Sequence, residues 1–510
     1  MSTGESASRA TWDLTSQISP FLDRHMIFPL LEYLDTLIKD QDGKHLVDYN
    51  PQDVAAARLE ILRPTHMVDY AIDVHQTLHP GQPVPDEMEA QKKTVYEELE
   101  ALRAACGAFD KLCQDETERS KLMATGQWNF GSLNQSHQIT PEMVEAYRKL
   151  ARFQFECGDY QSARAMLSYY IALFAKAPLT AVDEADDDMI TAGAVQQQAS
   201  QNDKDLGNAN MYYLTAVDES MLQVLWGRLA CEVLVEDWDG ANVAVDAVKT
   251  AMESLVTSRT LNALQALQQR TWLLHWSLFV YWNGNRLENL VDLCFQEKYK
   301  QAITTNAPHL LRYLTAAVLL CKRRVVNVTN KKEAQAVSPR RVLRSLIYVM
   351  QDCDYVDPIV DFVDCLCVKF DFDKAQTKLA ECERVLGTDF FLCQQTDLFM
   401  EEARVFVFEN YCRIHNKIDL QTLGDKLAMD QIQAERWIVD LIRNADLDAK
   451  IDSEEGCVVM GGNPQSIYEQ VMDRTRDLNV RSATLAQNLN NLMNQTRKER
   501  TKKERSSMEE

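Results

Sequence analysis

The sequence predicts a mostly α protein, an irregular helical solenoid that ends in a winged helix and a long C-terminal helix. Three observations carry that reading. Only 17 Gly and 13 Pro punctuate 510 residues, and the stretches between them repeat apolar residues at helical rather than two-residue spacing. Three separated segments share one helix–turn–helix pattern. The stretch 404–462 alternates between helical periodicity and short β runs, which is the order of elements in a winged helix.

At the N-terminus, "ISPFLDRHMIFPLLEYL" (18–34) places Leu22, Met26, Leu30 and Leu34 four residues apart, on one helix stripe. Pro29 is expected to kink that helix or divide it. Further helices are predicted over 51–62, 64–78, 86–113 and 141–156.

The three similar segments are "FECGDYQSARAMLSYY", "LVEDWDGANVAVDAV" and "VKFDFDKAQTKLAEC". Each carries an acidic residue, an aromatic, two spacers and an alanine: Tyr160 with Ala163, Trp238 with Ala241, Phe372 with Ala375. Seven residues after each aromatic comes Leu167, Val245 or Leu379. The aromatic plugs the elbow of a helical hairpin, and the alanine lets the two helices approach. This is the logic of tetratricopeptide-like repeats. The spacings, 78 and 134 residues, fit no single period, so the solenoid is irregular. Residues 176–210 interrupt it with seven acids, two lysines and Gln, Ala and Asn filler, and are expected to be a disordered acidic insertion.

Within 404–462, "KIDL" is a short strand and a small helix holds Leu423 and Leu427. The next helix aligns Ala434, Trp437, Ile438, Leu441, Ile442 and Ala445. "LDAKID" and "CVVM" are strands around the turn "SEEG". A DNA-reading winged helix needs positive charge on its long helix and wing. Here Glu435 and Asp440 offset Arg436 and Arg443, and the wing tip carries Asp452, Glu454 and Glu455. Sequence-specific DNA reading is therefore not expected. The sheet edge is expected to pair with another protein chain, through Ile451, Cys457, Val458, Val459 and Met460.

After the winged helix, a long helix from about Ser466 to Arg497 repeats Val471, Leu478, Leu485 and Leu492 every seven residues, widened by Ile467 and Leu489. Arg474, Arg481 and Asn488 make the other seam position polar, which suits a multi-helix bundle better than a two-stranded coiled coil. The tail 497–505 has six basic residues against two acidic ones.

The formal charge is −22, so the chain repels phosphate wherever basic residues are not clustered. One cluster exists. "CKRRVVNVTNKKEAQAVSPRRVLR" (321–344) holds Lys322, Arg323, Arg324, Lys331, Lys332, Arg340, Arg341 and Arg344 against a single Glu. Two readings stand side by side: a solvated loop with Pro339 opening the following helix, or a contact with RNA or an acidic partner. The pair His75 and His79 shares a helix face as zinc ligands would, but no acid lies between them and Pro80 ends the helix, so they read as polar residues of a last turn. No phosphate-loop, nucleophile-elbow or H-E-x-x-H motif is present, and neither an enzyme nor a cofactor is expected. The longest apolar runs, 271–282 and 313–321, are too short to span a membrane, and the N-terminal residues do not read as a secretory signal. Thirteen scattered cysteines without a C-x-x-C pair read as small buried hydrophobes, and a cytoplasmic location is expected.

Helical hairpins followed by a winged helix with "LIRNADLDAKID" resemble the PCI-domain family, whose members build the proteasome lid, the signalosome and translation initiation factor 3. The segments "DLTSQISPFLDRHMIFPLLEYL", "LQQRTWLLHWSLFVYW", "PHLLRYLTAAV" and "CVKFDFDKAQTKLAECE" resemble the initiation-factor branch in particular. The acidic insertion and the charged tail depart from the pattern. The resemblance implies three regions: a helical repeat region over 1–274, a PCI domain over 275–462 (helical part 275–415, winged helix 416–462), and a bundle helix with basic tail over 463–510. It further implies a non-catalytic scaffold. Its partners would be other PCI and MPN subunits and the small ribosomal subunit, and it would help recruit messenger RNA. A subunit of the proteasome lid or signalosome is the alternative.

Overall fold

The computed structural model describes residues 12–39, 49–174, 218–324, 339–353 and 355–415, strands at 417–419, 449–452 and 457–460, and scattered helical positions between 436 and 493. The acidic insertion, Lys331, Lys332, and Leu423, Leu427 and Trp437 of the winged helix lie outside the described residues. The chain forms two compact units, Met1–Val407 and Phe408–Glu510.

The first unit opens with α1 (Thr15–Ile18), a 3-10 turn at Ser19–Phe21, and α2 (Arg24–Lys39). The expected helix over 18–34 is indeed divided, but at Leu22 and not at Pro29. Leu22 is extended (φ −101°, ψ 158°), and the Asp23 side chain restarts the helix by accepting from the His25 amide at 3.0 Å. Pro29 sits inside α2 and leaves only the bond to the His25 carbonyl unmade. Met26, Leu30 and Leu34 are buried as the stripe predicts.

Next come α3 (Pro51–Leu62), α4 (Val68–Leu78), α5 (Asp86–Gln114), α6 (Glu116–Ala124), α7 (Phe130–His137) and α8 (Pro141–Glu156). Asn50 and Thr140 cap α3 and α8 at the predicted starts, each with proline in the first turn. α4 begins four residues later than expected, because Arg63–Met67 turns around Thr65, whose hydroxyl donates to the Leu62 carbonyl.

The repeat hairpins follow: α9 (Tyr160–Phe174), α10 (Glu219–Leu234), α11 (Trp238–Thr257), α12 (Ala263–Asn283), α13 (Leu287–Cys294), α14 (Glu297–Asn306), α15 (Leu310–Arg324), α16 (Pro339–Asp352), α17 (Pro358–Asp364), a π-helical turn at Cys365–Lys369, α18 (Phe372–Thr388) and α19 (Thr396–Ile414). Position 274 lies inside α12. Neighbouring helices in this series pack on one another, as in a solenoid.

The shared pattern is a turn with a fixed geometry. Gly158, Glu236 and Phe370 adopt left-handed backbone (φ 90°, 62° and 54°). The next residue, Asp159, Asp237 or Asp371, caps the following helix by accepting from the amide three residues on, at 3.1, 3.2 and 3.1 Å. The aromatic is the first helical residue, and Ala163, Ala241 and Ala375 are completely buried between helices. A fourth elbow, Asn285-Arg286-Leu287 with Leu290, keeps the left-handed residue (φ 54°) without the aspartate. The Asp371 amide reaches back six residues to the Cys365 carbonyl where Asp159, Asp237 and Arg286 reach back five. The π-helical turn supplies that extra residue.

Residues 12–39 are threaded through this series. The Arg312 guanidinium donates to the Trp12 carbonyl (2.8 Å), the Trp276 indole to the Phe21 carbonyl (3.0 Å), and the Tyr33 hydroxyl to the Gly387 carbonyl (3.0 Å). The His25 ring meets the Tyr160 hydroxyl at 3.0 Å.

Candidate interaction surfaces

In the second unit, β1 (Lys417–Asp419), β2 (Ala449–Asp452) and β3 (Cys457–Met460) form an antiparallel sheet of order β1-β3-β2. These are the strands that "KIDL", "LDAKID" and "CVVM" predict. β3 is central, however. Val458 is in register with Ile418 on one side and Ile451 on the other. Of the residues expected at an open edge, Cys457, Val458 and Val459 are therefore paired on both sides, Met460 at the end of the same central strand is paired with Ala449 alone, and Ile451 is on a strand paired along one side. The cause is topological: the last strand of the wing inserts between its hairpin mate and the strand that opens the module. Among the described strands the open sides belong to β1 and β2. Lys417 and Lys450 flank Val459 in register, and Asp419 and Asp452 flank Cys457. Val458 and Cys457 are buried, whereas Val459 is half-exposed.

The C-terminal positions described between 468 and 489 are helical and exposed. Val471, Leu478, Leu485 and Leu489 are 56%, 62%, 64% and 52% exposed. Ile467, Asn488 and Leu492 lie outside the described residues. Thr475 and Ser482 complete a 4-3-4-3-4 alternation, Val471–Thr475–Leu478–Ser482–Leu485–Leu489, so Arg474 and Arg481 border the seam rather than fill it.

The basic stretch is split by the fold. Lys322, Arg323 and Arg324 form the last turn of α15, and Arg340, Arg341 and Arg344 lie in the first two turns of α16. Arg341 and Arg344 are exposed. Pro339 opens α16 as predicted. His75 is buried beside His79, ring centroids 5.1 Å apart, and among the described residues no three potential ligands converge on a metal position.

Comparison with known families fits both halves of this architecture. The model "eIF3 subunit 6 N terminal domain" matches residues 13–154, and the PCI domain model matches 379–461, from within α18 to just past β3. Along the whole chain, the E subunit of eukaryotic translation initiation factor 3 from Arabidopsis thaliana is 34% identical over 97% of this chain and 99% of that protein. The E subunit from Bombyx mori is 36% identical over 94% and 95%, and that from Aspergillus oryzae 34% over 93% and 92%. The chain belongs to the E-subunit family of translation initiation factor 3.

This member of the family also holds buried polar centres that the sequence reading passed over. Arg312 is enclosed in the first unit. Its Nε and Nη1 donate to Asp357 (2.7 Å) and Asp389 (3.1 Å), and the Tyr313 hydroxyl donates to Asp389 (2.8 Å). Burial opposes the guanidinium charge, but Asp357 and Asp389 outweigh it and raise the pKa, so Arg312 stays cationic. Asp357 in turn caps α17 at Ile359, and Asp389 accepts from the Phe391 amide. Nearby, the His275 Nδ1 donates to the Thr271 carbonyl (2.7 Å), which leaves its Nε2 to accept from the Nε2–H of His309 at 2.8 Å. Phe21 stacks on His275 at 4.4 Å. Burial pushes these histidines down to about 3 and about 4, helped at His309 by the charge of Arg312, so both are neutral at pH 7. The signal was legible: one Arg in "HLLRYLTAAVLL" and one His in "WLLHWSL" are polar groups in apolar runs, which fold only when paired.

Proposed function

We propose that the chain is a non-catalytic scaffold subunit of translation initiation factor 3. It would join other PCI and MPN subunits, contribute to binding the small ribosomal subunit and help recruit messenger RNA. The observation that carries this is the row Val471, Leu478, Leu485 and Leu489, each more than half exposed at a helical position. Burying such a side chain is worth about 1.5–3 kcal/mol, and a partner bundle supplies that burial. The open sides of β1 and β2 offer a second joint, through backbone pairing with a neighbouring chain of the complex. The basic stretch around Arg341 and Arg344 offers a contact with the ribosome in a chain that is otherwise acidic. Membership of that complex would put the protein in the cytoplasm.

Sedimentation of a native lysate tests the reading. The tagged chain is expected to travel with initiation-factor subunits and small ribosomal subunits. A variant with serine at Val471, Leu478, Leu485 and Leu489 is expected to remain at the top of the gradient. Migration with proteasome lid or signalosome subunits, away from ribosomes, overturns the assignment.

A further inference from the structure

We infer that the exposed face of α16 is a binding site for single-stranded RNA, built from Arg341, Arg344 and Tyr348. The inference rests on placing the chain in a ribosome-bound assembly. It adds which face makes contact, with what chemistry, and a residue outside the basic stretch.

The helix determines the face. Leu346, Val349 and Met350 point into the solenoid and are buried, whereas Arg341, Arg344, Tyr348 and Gln351 are exposed at i, i+3, i+7 and i+10. Tyr348 is 58% exposed and has no hydrogen bond or ring contact among the described residues. Neither arginine forms an ion pair there. The helix carries no acid before Asp352, which is bound to Lys300 (3.3 Å). From Arg341 to Tyr348 the face runs about 10 Å along the axis, so two cations and a ring lie on one line.

This combination suits an unpaired strand. Arginines take phosphates without regard to sequence, and an exposed aromatic stacks on any base that is free to turn toward it. Duplex RNA hides its base faces and would leave Tyr348 unused. An acidic protein would satisfy the arginines. However, Tyr348 is the only large apolar side chain exposed among the described residues of this helix, with Val342, Leu343 and Ile347 half-buried, too little for the apolar centre of a protein interface. The −22 charge of the whole chain makes an unopposed cationic stripe stand out.

The test is fluorescence anisotropy of the full chain with a labelled oligouridine of twelve nucleotides, a blunt RNA duplex and polyglutamate, across a salt series. Arg341→Gln with Arg344→Gln is expected to weaken oligouridine binding more than tenfold at low salt. It should lower the slope of log affinity against log salt by about 1.4, at about 0.7 per phosphate on single strands. Tyr348→Ala is expected to cost about five- to a hundredfold with the slope unchanged, and Tyr348→Phe to retain binding. Equal binding of the duplex or polyglutamate, or a Tyr348→Ala variant that binds like the parent, overturns the inference. All three residues are exposed, so the variants fold. Co-sedimentation with initiation-factor subunits reports separately on the scaffold reading and survives failure here.

Discussion

The two units of this chain treat their apolar and charged residues in opposite ways. In the first, Ala163, Ala241 and Ala375 are fully enclosed, and Arg312 meets two carboxylates and a backbone carbonyl without leaving the chain. In the second, Val471, Leu478, Leu485 and Leu489 stand at helical positions with more than half of each side chain in solvent. The contrast separates residues enclosed within the fold from residues that the proposed scaffold role would give to partners. A solenoid can complete itself by stacking hairpins, while a lone amphipathic helix cannot.

Damage to one unit is expected to spare the other. Arg312→Met removes the cation bridging Asp357 and Asp389, leaves two buried carboxyl groups without that counter-charge, and is expected to cost about 3–5 kcal/mol in urea unfolding. Serines along the C-terminal seam are expected to leave that midpoint unchanged while abolishing co-sedimentation. Acid sharpens the contrast next. His275 and His309 titrate near 3 and 4 when folded and near 6.5 when unfolded. Below pH 6.5 the unfolded chain binds more protons, so stability is full above that value. It falls as the pH drops toward 4, by about 2 kcal/mol per histidine at pH 5. Replacing both with leucine is expected to flatten this dependence between pH 7 and 5. The smallest effect belongs to the elbows, where Ala241→Leu is expected to cost about 1–3 kcal/mol by forcing α10 and α11 apart, read as a lower melting temperature.

Much of this was legible from local signals. Asn50 before Pro51 and Thr140 before Pro141 mark helix starts, because a short polar side chain and a proline both suit the first turn. The three acidic–aromatic–alanine segments identify elbows, since the cap, the plug and the close approach are all local. Besides the late start of α4 at Val68, two readings needed correction. Pro29 resembled a breaker, yet the break came at Leu22, where the chain must bend so that Phe21 can stack on His275. Cys457–Met460 resembled an edge because it is the last strand, and its central place depends on β1, which lies far upstream in the sequence.

Local sequence was enough to mark the starts of α3 and α8, the caps of the elbows and the apolar faces of the helices. These follow from dihedral preference and side-chain periodicity within a few turns of chain. Long-range packing set which strand is central, that residues 12–39 lie against α9, α12, α15 and α18, and that Arg312 joins Trp12, Asp357 and Asp389. Those partners are 45 to 300 residues away. A buried charge demands a partner, but nothing local states which one.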